Sequence, residues 1–452
     1  MKRVFVLFAT FLISSALVLA RADVERGAPL PRKGAFGAQL APLSQDEAKK
    51  HGPGVKIVRA LPELTAAKLG LTEGDIVTSV AGQPVATPGA LGLAIRDAKA
   101  GDPLSVEFLR GEKKQTAKAN LVERPKQKPD GFEVVYDQVL SKGKRIRVIG
   151  THPAGTGKYP TVFLIGGIGA YSVDGDFGGV AYGNIMGPIA KAGYATIRID
   201  KPGQGDSEGP IYTELSFLTE LDAYLQAIRL AKTLPFVDPN RIVIFGHSMG
   251  GCFGPLVGKE EKIAGVIASG TLTRTWGEYM LENTRRQSLL AGASFAQVDT
   301  ELKSLAAINH YLFSEGLTPD EIAKKRPDLA GAVAAVSPDR KTYSGVGIPF
   351  FKELADQNLA EAWAKTDAKV LTLWGANEFI SGRSDHELIV TIVNKERPGT
   401  ATFQVVPDSD HGFFKTSSQE DSFRQWGKGA PFNPNVVDIV LAWLKTTIGD
   451  KP

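Results

Sequence analysis

The chain is short of several things that would otherwise define it. It has one cysteine, Cys252, in 452 residues, so no internal disulfide can form and stability must come from core packing. Neither sign of charge dominates: 53 basic side chains face 49 acidic ones, for a net +4. Internal repeats and low-complexity tracts are absent, and the 43% apolar and 23% charged fractions exclude wholesale disorder. A prominent apolar run, Val4 to Ala20, follows Lys2 and Arg3 and precedes Ala20-Arg21-Ala22. It is short for a membrane span and ends in an A-x-A pattern, which predicts a cleaved signal peptide over residues 1–22 and a periplasmic or secreted product without a stable membrane anchor. No cysteine lies near that point to carry a lipid. Cleavage would remove three basic residues and no acid, leaving a near-neutral protein with no electrostatic case for nucleic acid.

What is present falls into two unlike parts. Residues 32–124 read as short strands with two helices. "TPGALGLAIRDAKAG" has Thr87 as N-cap, Pro88 at the first helical position and Gly101 as the stop. "PLSVEFLRGEKKQTAKANLV" alternates as a hairpin around Arg110-Gly111-Glu112. "AAKLGLTEGDIVTSVAGQPV" and "RKGAFGA" together resemble a bacterial, protease-associated PDZ domain, a small α+β module. The resemblance implies that the amides of Ala35, Phe36 and Gly37 form a nest for a peptide or protein C-terminal carboxylate. It also implies that Leu91 and Ile95 line the side-chain pocket beside it. The polar, proline-bearing segment 125–131 reads as an extended linker.

From residue 132 the pattern changes to continuous apolar strands alternating with helices, preceded by an antiparallel pair in "FEVVYDQV" and "KRIRVIGTHP". That predicts an α/β domain with a mostly parallel sheet covered on both faces. Residues 272–368 break the rhythm with consecutive helical patterns and read as a helical cap.

"IVIFGHSMGG" carries the strongest chemical signal. Gly246-His247-Ser248-Met249-Gly250 fits G-x-S-x-G at a strand end before a helix, a turn that exposes the serine hydroxyl in a strained conformation. Ser248 is therefore the candidate nucleophile. With "RIDKPGQGDSEG", this stretch resembles the α/β-hydrolase superfamily over about 320 residues of the chain. The family order Ser, acid, His implies His411, in "FQVVPDSDHGFF", as the base. It implies Glu378, three residues after Gly375 at the end of "KVLTLWG", as the acid, with Asp385 in reserve and His386 a helix residue. Glutamate there departs from the commoner aspartate by one methylene. The oxyanion donors implied are the amides of Met249 and Ile168. The glycines before Ile168 lack the G-K-[ST] of a phosphate loop. His247 is expected to pack the elbow, and Cys252 to pack the following helix. Asp174 and Asp176 in "YSVDGDFGG" lack calcium-loop spacing and read as a surface turn. No metal or cofactor is implied. The expectation is a serine hydrolase of carboxylic esters. A peptidase on short peptides is one alternative, and a catalytically inactive PDZ adaptor is the other.

Overall fold

The computed structural model describes residues 24–175 and 182–449. The expected signal peptide and Asp176 lie outside the described residues.

The larger sheet has eight strands: β1 (Glu133–Ser141), β2 (Lys144–His152), β3 (Tyr159–Ile165), β4 (Ala195–Ile199), β5 (Val237–His247), β6 (Gly265–Ser269), β7 (Lys369–Gly375) and β8 (Ala401–Val406). Their order across the sheet is β8-β7-β6-β5-β3-β4-β2-β1. The run from β8 to β4 is parallel, while β2 pairs antiparallel with both β4 and β1. Every residue of β3, β4 and β6 is buried, as expected where helices cover both faces. Successive side chains feed opposite cores. Phe163, Ile165, Ile242 and Ile244 pack under the helices Phe217–Ala231 and Met249–Glu260, whereas Val162, Leu164, Val243 and Phe245 pack under Tyr182–Lys191 and Asn435–Ile448.

The insertion between β6 and β7 is helical, and its turns are locally encoded. Thr275 with Glu278, Ser294 with Gln297 and Thr318 with Glu321 form capping boxes at three helix starts. Not all of it is cap. Leu359–Lys365 packs on Met249–Glu260 and so belongs to the layer covering the sheet, with Trp363 fully buried there.

The N-terminal module has a separate antiparallel sheet in the order Ala38–Pro42, Val55–Ala60, Ile76–Val80, Pro103–Arg110, Lys113–Asn120, and its own core. Thr87 caps the helix Pro88–Ala94 through the Ala90 amide.

Two polar segments that read as solvent-facing are instead pinned between the modules. Asp174 is buried and pairs with Arg32 at 2.6 Å while accepting from the Tyr136 hydroxyl at 2.6 Å, which corrects the surface-turn reading. Neighbours in sequence gave no sign of this, because Arg32 lies 142 positions away. Arg32 also pairs with the buried Asp206 at 2.6 Å and donates to the carbonyls of Arg124 and Pro125. Segment 125–131 has no regular structure, yet Gln127 is held by the Tyr136 hydroxyl and by the Arg198 guanidinium. The stretch before Arg32 runs along the outer strands, with the Leu140 amide donating to Glu25 O and Arg147 to Leu30 O.

Asp206 thus holds Arg32, the Lys33 amide and, more distantly, Arg147 at one buried point. Removing one member of such a group leaves uncompensated buried charge, at a cost of about 3–5 kcal/mol. Asp206→Asn is expected to lower stability by that order in chemical denaturation. It should also open 125–131 to limited proteolysis at protease levels that spare the wild type. Unchanged stability and protection would refute this role.

Candidate active site

β5 ends at His247, and Ser248 follows with φ +55° and ψ −122° before the helix Met249–Glu260 begins. That backbone is strained for a residue with a Cβ. The small neighbours make it feasible: a Cβ on Gly250 would stand 2.0 Å from the Ile165 carbonyl oxygen at the end of β3. The turn therefore lies directly against the adjacent strand.

His411 lies after β8, in a loop shaped by Asp410, whose Oδ1 accepts the amides of Gly412 and Phe414 at 2.8 Å each. The side chain of Asp410 serves its own loop rather than its neighbour's imidazole. His411 Nδ1 sits 2.8 and 3.0 Å from the two carboxylate oxygens of Glu378. Glu378 Oε1 also accepts the amides of Ile380 and Ser381. Burial pushes this carboxyl up, but the His411 charge and the hydrogen bonds from His411 and Ser381 outweigh it, so its pKa lies below the ordinary value. Gly270, at φ +61°, leaves room for the pair, because a Cβ there would stand 2.9 Å from His411 Nδ1.

The first cap helix, Trp276–Leu290, secures the acid loop. Arg286 donates to the carbonyls of Phe379 and Ile380, and the Tyr279 hydroxyl reaches Ile380 O. Asp385 does other work. It accepts the amides of Thr273 and Arg274 and binds the Arg274 guanidinium, tying the start of the insertion to the helix after β7. His386 is buried with both ring nitrogens occupied: Nδ1 donates to Gly382 O and Nε2 accepts the Thr271 amide. Cys252 is buried too, and burial pushes its thiol up to about 12, so it is no nucleophile.

Ser248 and His411 line one cavity of about 370 Å³. Among the described residues no hydrogen bond joins the Ser248 hydroxyl to His411. With Nδ1 committed to Glu378, Nε2 is the ring nitrogen left over. Ile168 and Met249 line the same cavity, and among the described residues their amides have no hydrogen-bond partner. Further walls come from Tyr171, Leu272, Trp276, Tyr279, Ile380, Phe413 and Trp426, among others.

Several parts of the site rest on contacts between segments distant in sequence. The Tyr182 hydroxyl accepts the Gly167 amide at 2.7 Å and lies 2.8 Å from His247 Nδ1. His247 Nε2 donates to the His411 carbonyl at 2.8 Å. Burial and the nearby His411 lower His247 to about 3, so it stays neutral and relays a fixed geometry between the two loops. Its place in the G-x-S-x-G motif was visible, but its partners come from distant segments.

In the N-terminal module, the amides of Phe36 and Gly37 have no partner among the described residues, while Ala35 pairs with Val122 in a two-residue ladder. These residues border a groove of about 680 Å³. One wall is Gly89, Gly92 and Leu93 of the helix Pro88–Ala94, with Ile95 and Arg96 just past its end. Leu91 is corrected: it is 2% exposed and packs in the module's core, whereas Leu93 is 54% exposed. Leu91 and Leu93 stand two residues apart, which places them on different faces of a helix. The opposite wall comes from the larger domain, including Tyr171 and Tyr212.

Comparison with known proteins finds two family matches in the chain. A model of the alpha/beta hydrolase family matches residues 169–423, and a PDZ-domain model matches residues 34–121. Esterase EstD of Thermotoga maritima is 22% identical over 302 residues, covering 65% of this chain and 64% of the relative. The quorum-quenching protein AidA of Acinetobacter baumannii is 34% identical over 94 residues, covering 20% and 30%. The chain therefore spans less than two thirds of the length of either curated relative. Among solved structures, Est1E of Butyrivibrio proteoclasticus with ferulic acid bound is 15% identical, covers 68% of this chain and 98% of its own, and superposes with a TM-score of 0.43. The family match spans more than half of the 452 residues: this chain belongs to the alpha/beta hydrolase family and carries a PDZ domain ahead of the hydrolase fold.

Proposed function

We propose that the protein is an exported serine hydrolase that cleaves carboxylic esters through an acyl-enzyme on Ser248, with its PDZ domain binding a peptide or protein C-terminus. The Ser248 hydroxyl attacks the ester carbonyl as His411 Nε2 takes its proton. Glu378 holds the Nδ1–H tautomer and stabilises the imidazolium. The amides of Met249 and Ile168 receive the oxyanion, Met249 at a helix N-terminus where the dipole adds to the field. His411 then protonates the departing alcohol, and water, deprotonated by the same nitrogen, releases the acid.

The observation that carries the ester reading is the cavity lining beside Ser248. Its walls are aromatic and aliphatic, and no Asp, Glu, Lys or Arg stands among the described lining residues. Such walls suit an apolar acyl or aryl group. An aminopeptidase would need a carboxylate there to receive the substrate ammonium. The export part rests on the N-terminal sequence pattern.

Labelling with a fluorophosphonate probe tests the enzyme. Labelled protein that hydrolyses aryl and short acyl esters at least tenfold faster than aminoacyl amides supports the ester reading, and the reverse ranking supports the peptidase. An unlabelled, folded wild type would leave only the adaptor. The PDZ part predicts capture of peptides from a C-terminal library that is lost, by at least tenfold in Kd, when the peptide terminus is amidated. Binding indifferent to amidation would exclude carboxylate docking at Phe36 and Gly37.

A further inference from the structure

The peptide unit joining Gly167 to Ile168 is held firmly at its carbonyl end. Its carbonyl oxygen, on Gly167, accepts two hydrogen bonds: from Lys201 Nζ at 2.5 Å and from the Tyr171 hydroxyl at 2.7 Å. The amides on either side are already taken, Gly167 N–H by the Tyr182 hydroxyl and Gly169 N–H by the Tyr212 hydroxyl at 2.6 Å. The amide between them, Ile168 N–H, belongs to the same peptide unit as the doubly bonded carbonyl.

Lys201 is unusual in its own right. It is buried, and it pairs at 3.2 Å with Glu220, which is also buried and accepts the Tyr224 hydroxyl. Its ammonium lies 5.0 Å from the Tyr171 ring centre and 5.9 Å from that of Tyr212. A buried ion pair is weak support for stability, since its desolvation offsets much of its attraction. Its placement has a clearer chemical consequence. A cation on an amide oxygen draws electron density along the N–C=O unit, and the N–H at the other end becomes a stronger donor.

We propose that Lys201 and Tyr171 are positioning residues for the oxyanion site: their two hydrogen bonds to the Gly167 carbonyl orient and polarise the peptide whose N–H, on Ile168, receives the negative charge of the tetrahedral intermediate. This rests on the serine-hydrolase reading. The help is specific to the transition state. An ester carbonyl in the ground state carries little charge, so substrate binding gains little from a stronger donor, whereas the oxyanion gains fully.

Lys201→Met alone would strand the Glu220 charge, so the informative variant is Lys201→Met/Glu220→Gln, which removes both charges and keeps an acceptor for Tyr224. Tyr171→Phe removes the second donor without leaving a buried charge. The measurements are kcat and KM on the best aryl ester, Ki for a matching trifluoromethyl ketone, which forms a tetrahedral adduct on the serine, and the thermal midpoint. Losing an oxyanion donor outright typically costs about 10²–10³-fold, so weakening one is expected to cost the double variant about 10–100-fold in kcat. Tyr171→Phe should lose about 3–10-fold. In both, Ki should rise by a similar factor while KM stays within about threefold. Either folded variant keeping kcat within twofold, or losing rate through KM alone, overturns the proposal. A wild type that neither labels with the phosphonate nor binds the ketone overturns the serine-hydrolase reading along with it.

Discussion

Ser248→Ala is expected to lower ester turnover by on the order of 10⁵–10⁶-fold while the protein remains folded. The size follows from what the side chain does. Without the hydroxyl no acyl-enzyme forms, and the rest of the site can only orient a substrate and stabilise charge arising from direct attack by water. That residue of catalysis is worth about 10³–10⁴-fold over the uncatalysed reaction. The fold should tolerate the change, because the hydroxyl caps no helix amide at the elbow and alanine meets the same backbone strain at φ +55°. Substrate affinity, read as inhibition by a non-hydrolysable analogue, should shift by less than about threefold. Phosphonate labelling should vanish together with turnover. If the variant keeps more than about 1% of the wild-type rate, another group is the nucleophile. Cys252 is no heir, since its buried thiol stays protonated at neutral pH.

The sequence made some of these parts readable and concealed others for physical reasons. The turn at Ser248 is specified within five residues, because a strand that folds back sharply needs glycine where Gly250 meets Ile165. The alternation of the parallel strands was plain because both of their faces are buried. Parts made by contacts between distant segments were not readable. Asp174 sits in a stretch rich in Gly and Asp that looks like a surface turn, and Arg32 and Tyr136, both distant in sequence, make it a buried anchor. Tyr182 and Lys201 bear on the loop at Gly167 through single atoms at the ends of long side chains, and neither residue type is diagnostic alone. The sequence does not separate Leu91 from Leu93 as the groove residue, because the helix Pro88–Ala94 is seven residues of mostly Gly, Ala and Leu, too uniform for its apolar face to stand out.

Glu378→Gln is expected to cost about 10⁴-fold in kcat, and the reason is a tautomer. Oε1 of Glu378 accepts the Ile380 and Ser381 amides, so the carbonyl of a glutamine would stay on those donors. Its NH₂ would then face His411 Nδ1, which in the wild type donates to the carboxylate. To avoid two opposed donors, His411 would carry its proton on Nε2 and could no longer accept one from Ser248. The geometry would persist while the base was lost, and KM should change little. Acid titration offers a second readout. The folded-state pKa of Glu378 lies below its unfolded value, so its ionisation adds stability above the ordinary carboxylate range, and that gain disappears as pH falls through the folded pKa. The glutamine variant has no such contribution, so the stability difference between the two proteins should shrink on acidification. Asp385→Asn is the control that separates the two carboxylates. Asp385 is committed to Thr273 and Arg274 at the root of the cap, and its loss should cost about 1–3 kcal/mol of stability with kcat within tenfold. Should Asp385→Asn lose four orders of magnitude and Glu378→Gln keep its rate, the acid is the other one. The bidentate approach of Glu378 to His411 would then be a structural bond only.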